Sequence, residues 1–347
     1  MSELSHPHAG SGISRRSWIV EGLCALAALA ALAAVASAGL PLAARAQATA
    51  WPERAITLIQ PYAPGTATDA SSRFIAQKIG ERWKVPLVMD HRSGANGLIG
   101  TELAARSAPD GYTLMITSTG YFTNEALMQR ISYDPLKSFV PIAKVGAVQL
   151  LLVVPAESRF RSVQDLVAHA RAHPGKLSYA SGGNGSSQHL SAALLATLAG
   201  IQLLHVPYKG QVPAAVGTST GEVDFSFAAI TTARPLIAAG KLRILAASGA
   251  SRSASYPDLP TMAEAGVPGY AYVANTFFFA PAGTPEAIVR KMSDAIGEVA
   301  SEPAFREYAQ SIGMEPDFVG HADWRKTIAS EREQWLKLVR DSGAKAE

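Results

Sequence analysis

Two loops of this sequence have the residue types and the setting of an anion-binding site. The first, residues 61–69 (Pro-Tyr-Ala-Pro-Gly-Thr-Ala-Thr-Asp), follows an apolar run of strand length and precedes a helical pattern. The second, residues 181–187 (Ser-Gly-Gly-Asn-Gly-Ser-Ser), has the same setting further along the chain. A strand that turns into a helix leaves the first N–H groups of that helix unpaired, and such groups bind carboxylates. We expect the two loops to face each other across a cleft, although each alone is also an ordinary connection of an α/β fold.

The elements that must position these loops alternate between strand and helix. Apolar runs at 55–60, 86–90 and 112–117 have strand length, and a helix at 69–83 is predicted to begin at Thr68 as its N-cap. This alternation predicts a mainly parallel sheet covered by helices, with ligands bound beyond the carboxyl ends of the strands. The alternation resumes later, with helices predicted at 162–172, 187–199, 211–218, 235–239 and 261–266 and strands at 177–180, 202–206, 223–228 and 242–247.

Two long apolar runs, residues 148–154 and 270–280, interrupt this pattern. We interpret them as strands that cross from one lobe to a second and back, about which the lobes can hinge. Helices near 285–300, 303–312 and 322–341 complete the chain, the last one packing on the first lobe. The predicted fold class is therefore α/β, with two doubly wound Rossmann-like lobes joined by two crossing strands. The first lobe is predicted to be discontinuous, with residues 47–148 and 271–347, and the second to hold residues 149–270.

The first 46 residues have the composition of an export signal. Arg15 and Arg16 precede an Ala/Leu-rich run at 23–42, and Ala44-Arg45-Ala46 has the small residues of a cleavage site. We expect cleavage after Ala46 and a periplasmic mature protein, with an uncleaved membrane anchor as the alternative. The paired arginines fit the twin-arginine export pathway, and Sec export stays open.

Charge and cysteine content exclude several classes of function. The 347 residues include 31 basic and 28 acidic ones without a basic stripe, so no nucleic-acid partner is expected. The single cysteine, Cys24, lies in the export segment, so the mature chain has no disulfide and no thiol nucleophile. His169 and His173 are four apart on a helix but fit surface positions in its last turns. No metal is expected, because the histidines of the mature chain show no other ligand spacing and no carboxylates cluster.

Catalysis and cofactor binding explain the polar residues less well than anion binding. Ser181, Ser186, His189 and Asp224 suggest a hydrolase triad, but the Gly-x-Ser-x-Gly elbow is missing. The Gly-rich loop 181–187 lacks the Gly-Lys-Ser/Thr ending of a nucleotide phosphate loop. We therefore predict neither an enzyme nor a cofactor, and a periplasmic serine hydrolase is the alternative.

Tyr208 and Lys209 follow a predicted buried strand and are expected at the rim of the cleft. The alternative for Lys209 is a solvated turn residue, and the sequence leaves both open.

A series of ordered motifs spans essentially the whole mature chain. They are Trp51-Pro52, Pro61–Gly65 with Thr68-Asp69, Ala108–Leu114, Tyr133–Pro135 with Lys137 and Phe139, Pro174–Ala180, Asn184-Gly185 with His189-Leu190, His205–Gly210, Ala239–Arg243 and Ala280–Pro285. On these residues the chain resembles the Bug (TctC-like) extracytoplasmic solute receptors of tripartite tricarboxylate transporters. The resemblance implies a fold of the type II periplasmic-binding-protein kind and a small, usually carboxylated ligand. It also implies integral-membrane permease subunits as partners, or a sensor kinase as the alternative, and we expect a monomer.

The resemblance places the ligand contacts on the two loops and near residue 228. The predicted ligand-binding residues are Tyr62, Gly65, Thr66, Ala67, Thr68, Asp69, Thr119, Ser181, Asn184, Gly185, Ser186, Ser187, His189, Tyr208 and Ala228. The sequence departs from the family pattern at Thr66 and Ala67, where glycines are usual, at Ala228, where an Asp is common, and at Asn275, where a Trp is usual. These departures leave the ligand's identity open.

Overall fold

A computed structural model describes residues 51–128, 130–342 and 344. The predicted export signal, with its paired arginines, Cys24 and the cleavage site, lies outside the described residues. The chain divides after Trp51, and every element below belongs to the unit that begins at Pro52. Within the described residues, no helix has both the length and the apolar character needed to cross a membrane.

Strands and helices alternate as the sequence predicts. The strands are β1 (Ile56–Gln60), β2 (Leu87–His91), β3 (Thr113–Thr117), β4 (Phe139–Pro155), β5 (Ser178–Ser181), β6 (Leu204–Pro207), β7 (Phe225–Ala229), β8 (Leu242–Ala247), β9 (Val273–Pro281) and β10 (Met314–Gly320). The helices are α1 (Ala67–Trp83), α2 (Leu98–Ala105), α3 (Gly120–Leu127), α4 (Val163–Ala172), α5 (Ser187–Ala199), α6 (Gln211–Ser219), α7 (Ile230–Ala238), α8 (Glu286–Ser301), α9 (Pro303–Ser311) and α10 (His321–Ser342). A 3-10 turn at Ala95–Gly97 precedes α2.

The strands form a mixed sheet in which β4 belongs to both halves. In the first lobe, β2, β1 and β3 run parallel to one another, and β9, the first part of β4 and β10 follow antiparallel. In the second lobe, β6, β5 and β7 run parallel, and the second part of β4 pairs antiparallel with β7 and β8. Each lobe therefore has a parallel core, whose strands end on one edge.

Strand β4 changes from pairing with the first lobe to pairing with the second lobe between two consecutive residues. Gln149 pairs with Val273 of β9, and Leu150 pairs with Ala229 of β7. The predicted crossing at 148–154 is thus the second part of a 17-residue strand. The chain returns just before β9, where the Tyr272 N–H donates to the Ser248 carbonyl at 2.7 Å. The predicted fold class, two α/β lobes joined by two crossing strands, is confirmed, whereas the exact lobe boundaries stay a prediction.

Aromatic side chains fill the core of the first lobe. The Phe277 ring stacks on Trp324 with centroids 5.2 Å apart, and Phe279 lies 4.4 Å from Tyr121. Phe277 and Phe279 thus join β9 to α3 and α10, which explains two of the three consecutive phenylalanines. The last helix reaches further than expected, because α10 also packs on α5 of the second lobe and Thr197 donates to the Ser342 carbonyl at 2.9 Å.

The structure corrects several local predictions. Helix α1 begins at Ala67, because the Thr66 hydroxyl and not Thr68 is the cap, accepting from the Asp69 N–H at 3.1 Å. Residues 261–266 form turns rather than a helix, although Thr261 and Glu264 exchange capping hydrogen bonds. Helix α7 begins five residues before the predicted start at 235. Helix α3 and strand β10 were not predicted.

Candidate functional site

A cavity of about 610 Å³ lies where the loops of the two lobes meet. Its wall takes residues from 61–68, 93–97 and 118–128 of the first lobe and from 182–187 and 208–211 of the second. Four strand residues, Val148, Leu150, Ala229 and Ala274, give it an apolar floor. The cavity thus joins the two loops that the sequence singles out.

The first loop presents the start of α1 to the cavity. The N–H groups of Ala67 and Thr68 precede the first intrahelical bond, which Ala70 donates to the Thr66 carbonyl at 3.0 Å. The Thr66 hydroxyl is used as the helix cap, and Thr68 lies 3.3 Å from the Thr276 hydroxyl of β9. The Thr66 side chain, which stands in place of a usual glycine, is therefore built into the wall, and Ala67 also lines the cavity.

Asp69 stabilises this loop from outside the cavity lining. Its carboxylate accepts from the Gly65 N–H at 3.0 Å, from Arg73 Nε at 3.0 Å and from His91 Nε2 at 2.9 Å. Burial alone would raise the pKa of Asp69, but the hydrogen bonds from Gly65, His91 and Arg73 outweigh it and hold the pKa below its ordinary value. Asp69 is an ionised brace of the loop and is not part of the cavity lining.

Tyr62 fills the space between two glycines. A Cβ atom at Gly120 would lie 2.6 Å from the Tyr62 hydroxyl, and one at Gly97 would lie 3.1 Å from its ring. Although the residue as a whole is half-buried, burial of its hydroxyl raises the pKa of Tyr62 to about 12. Tyr62 therefore presents a neutral ring to the cavity.

A third loop, residues 93–97, also lines the cavity and was missed as a site by sequence reasoning. Ala95 and Asn96 adopt left-handed backbone angles, with φ of 46° and 50°. Asn96 Nδ2 donates to Asn124 Oδ1 at 2.8 Å, and Asn124 Nδ2 donates to the Asn96 carbonyl at 3.1 Å. The signal was present, since 92–97 is another polar and Gly-rich turn between a strand and a helix.

The second loop presents the start of α5. Ser186 caps this helix by accepting from the His189 N–H at 3.3 Å, which leaves the N–H groups of Ser187 and Gln188 ahead of the first intrahelical bond. Ser181 is fully buried and turned inward, with its hydroxyl 2.6 Å from His205 Nε2. The loop thus presents backbone N–H groups to the cavity, whereas the side chain of its first serine, Ser181, stabilises the loop itself.

His189 supports the second loop as an acceptor. Its Nδ1 accepts from the Gly185 N–H at 3.0 Å, so the proton of the neutral ring lies on Nε2. The ring stacks on His205 with centroids 4.3 Å apart. Burial, and then the neighbouring His205, lower the pKa of His189 to about 4. The His189 ring therefore holds the second loop through a backbone N–H group.

The residues considered as a hydrolase triad do not form one. Ser186 bonds to the backbone N–H of His189 rather than to its ring. Asp224 accepts from the Ser178 N–H and hydroxyl at 2.8 and 2.7 Å.

Eight of the fifteen predicted ligand-binding residues line the cavity. They are Tyr62, Thr66, Ala67, Thr68, Asn184, Ser186, Ser187 and Tyr208. The other seven, Gly65, Asp69, Thr119, Ser181, Gly185, His189 and Ala228, are not in the lining. Ala228 packs with Leu151 and Ala247 in the core of the second lobe, and its neighbour Ala229 lines the cavity instead. On β9 the lining residue is Ala274 rather than Asn275.

The electrostatics of the cavity favour an anion. Residues at the N-terminal ends of α1, α2, α3, α5, α6 and α7 are in its wall, and each such end carries about half a positive charge. Among the described lining residues Lys209 is the one charged side chain, and no carboxylate is present. The site combines the positively polarised N-terminal ends of helices with an apolar floor.

Comparison with known proteins assigns the chain to a family. The family model described as "Tripartite tricarboxylate transporter family receptor" matches residues 72–344. A UPF0065 protein from the tcbD-tcbE intergenic region of Pseudomonas sp. is 38% identical over 309 residues, which cover 87% of this chain and 92% of the relative.

Two solved structures from Rhodopseudomonas palustris are similar. Rpa4515 with adipate is 33% identical with a TM-score of 0.82, covering 86% of this chain and 100% of its own. MatC (Rpa3494) with bound malate is 28% identical with a TM-score of 0.76, covering 83% and 100%. The chain therefore belongs to the tripartite tricarboxylate transporter receptor (TctC) family of periplasmic solute-binding proteins.

Proposed function

We propose that this protein captures a small organic carboxylate in the cavity between its lobes and delivers it to a tripartite tricarboxylate-type permease. The family consists of receptors rather than enzymes. The observation that carries the proposal is the convergence of six helix starts on a cavity whose described lining holds no acidic side chain. Such a site stabilises a carboxylate without an arginine.

The floor of the cavity supports a ligand with a hydrocarbon body. Val148, Leu150, Ala229 and Ala274 offer it no side-chain hydrogen-bonding group. A methylene chain or ring buries apolar surface there, whereas a polar group would lose its hydrogen bonds to water. The adipate and malate of the two similar structures have the same chemical class, and adipate has an unsubstituted carbon chain.

Binding is coupled to lobe closure in this proposal. The two crossing segments are tied together by Ser248, whose hydroxyl accepts from the Leu150 N–H at 2.8 Å and donates to the Tyr272 carbonyl at 2.7 Å. A ligand that touches α1 in one lobe and α5 in the other favours the closed arrangement by its differential affinity. The closed monomer would then be recognised by the permease, or by a membrane sensor kinase if the receptor serves sensing.

A thermal-shift screen of mono- and dicarboxylates, aliphatic and aromatic, tests the proposal. A ligand at 100 times its Kd is expected to add about 2.7 kcal/mol to the free energy of unfolding. Small-angle scattering of the same samples is expected to show a smaller radius of gyration if the free protein is open. No stabilisation by any carboxylate, or the same stabilisation by the matching uncharged alcohols, would contradict carboxylate capture.

A further inference from the structure

We infer that Lys209 selects solutes with a second carboxylate, and that the cavity rejects solutes that carry an ammonium group. This inference rests on the proposed function and specifies its substrate class as an α,ω-dicarboxylate without an amino substituent. It is carried by the position of one lysine and by the charges of the whole lining.

Lys209 is held beside the second loop by its neighbours in the chain. The Tyr208 N–H donates to the Ser181 carbonyl at 2.9 Å, which ties the segment 208–211 to the end of β5. Gly210 has a φ of 118° and precedes α6, and a Cβ atom at Gly182 would lie 3.2 Å from the Gln211 nitrogen. This packing keeps Lys209 at the cavity, between residues that also line it.

The ammonium group of Lys209 is available to a ligand. The residue is exposed, and in residues 51–128 and 130–342 its side chain makes no ion pair or hydrogen bond with the protein. It belongs to the second lobe, whereas Ala67 and Thr68 at the start of α1 belong to the first. Among the described lining residues, Lys209 is therefore the one cation that the other end of a solute held at α1 can contact.

Two carboxylates separated by an apolar chain match this layout. The first would lie on helix N–H groups, the chain on the floor made by Val148, Leu150 and Ala274, and the second against Lys209. A hydrogen bond to a charged group is stronger than a neutral one. A monocarboxylate of the same length gains no such bond and leaves Lys209 to water.

The described lining offers an ammonium group no carboxylate, only neutral acceptors such as Asn184 Oδ1 and Gln211 Oε1. No described lining residue is acidic, and Asp69, the acid of the first loop, already accepts from Gly65, Arg73 and His91. An amino group on the solute would instead face the positive ends of helices and Lys209, which repel it. We therefore expect 2-amino analogues to bind more weakly than the plain diacids.

Isothermal titration of the wild-type protein with four pairs of acids tests this inference. Each pair has one chain length, as in succinate with butyrate, glutarate with pentanoate, adipate with hexanoate and suberate with octanoate. The best-bound diacid is then compared with its 2-amino analogue. Lys209→Gln is expected to weaken that diacid roughly tenfold to a hundredfold, and to change the matching monoacid by less than about twofold. The 2-amino analogue is expected to bind wild type at least about tenfold more weakly than the diacid.

Three further measurements make the test decisive. Lys209→Arg is expected to retain the preference for the diacid, and Lys241→Gln, a change of an exposed lysine outside the lining, is expected to match wild type. Circular dichroism verifies that Lys209→Gln is folded. The inference is overturned if Lys209→Gln weakens diacid and monoacid equally or neither, or if the 2-amino analogue binds as tightly as the diacid. If no acid binds the wild type at all, the proposed function itself fails, which is a different result from a loss of selectivity.

Discussion

Gly185 lies so close to Asn96 that a Cβ atom at residue 185 would come within 2.7 Å of the Asn96 Nδ2. Gly185 belongs to the second-lobe loop that holds His189, and Asn96 belongs to the first-lobe loop fixed by Asn124. The Gly185 backbone also has a φ of 76°, which favours glycine. The two lobes therefore meet here through the Gly185 backbone and the Asn96 side chain, and a side chain at residue 185 would hold them apart.

Gly185→Ala is expected to lower both stability and ligand affinity. The left-handed backbone costs about 1–2 kcal/mol for an alanine, and the contact with Asn96 opposes closure of the lobes. We expect at least about a tenfold rise in Kd for the best-bound carboxylate, equivalent to about 1.4 kcal/mol, measured by titration calorimetry beside urea unfolding.

Gly175→Ala is the matched control for this change. Gly175 has a similar φ of 70°, but a Cβ atom there has no neighbour within 4 Å. It is expected to lose the same conformational energy and to keep wild-type affinity. Equal affinities for the two variants would contradict the idea that the contact at Gly185 controls closure.

Ser248→Ala is expected to destabilise the junction of the lobes. The buried hydroxyl serves the Leu150 N–H and the Tyr272 carbonyl, and its removal leaves both backbone groups without that partner. A loss of at least about 2 kcal/mol is expected in the free energy of unfolding, measured in urea. Ser301→Ala, which removes one hydroxyl bond on the exposed surface of α8, is expected to cost less than about 0.5 kcal/mol. A loss at Ser248 no larger than at Ser301 would show that the hydroxyl does not hold the crossing segments.

The pKa of His189 predicts a loss of stability in mild acid. Its pKa is about 4 in the folded protein and near 6.5 in an unfolded chain. The unfolded state therefore binds more protons between these values, so the contribution of His189 is complete above pH 6.5 and falls as the pH is lowered toward 4. Titration of His189 is expected to lower the free energy of unfolding by about 3 kcal/mol in total. Urea unfolding at pH 7, 5.5 and 4.5 measures it.

His189→Gln is expected to flatten this pH dependence, because the titrating ring is gone. An unchanged slope in His189→Gln would mean that another group causes the acid sensitivity.

Asp69→Asn is expected to reduce both stability and affinity. An amide accepts fewer and weaker bonds than the carboxylate that now holds Gly65, Arg73 and His91. A loss of about 1–3 kcal/mol is expected in unfolding, together with weaker binding because the first loop loses its brace. Asp165→Asn, which disturbs the cap of α4 outside the cavity lining, is expected to lose stability alone. Wild-type affinity in Asp69→Asn would contradict the bracing role.

The strand–loop–helix units could be predicted from sequence because their signals are local. Gly65 and Thr66, or Gly185 and Ser186, stand directly between an apolar strand and a helical pattern, so the pattern marks the site of each helix start. The two crossing strands could also be predicted, since a long apolar run must be buried. The loop 93–97 has the same local pattern, but its place at the cavity depends on the order of strands β2, β1 and β3, which is not local.

The direction of polar side chains could not be predicted. Asp69 and Ser181 were expected to face the ligand, but their partners include His91 and His205, which only the folded sheet brings near. Strand β10 was missed because it is partly exposed and contains Pro316 and Asp317, and it is defined by its pairing with β4. Long-range pairing decides these features, and one sequence does not show it.

Titration calorimetry with diacids of four to eight carbons, each beside its uncharged α,ω-diol, tests the central claim most directly. We predict that at least one diacid binds wild type with one ligand per protein and that its diol, of equal length, gives no binding heat. Failure of every diacid to bind, or equal binding of the diol, would contradict a cavity that recognises carboxylates through the N-terminal ends of its helices.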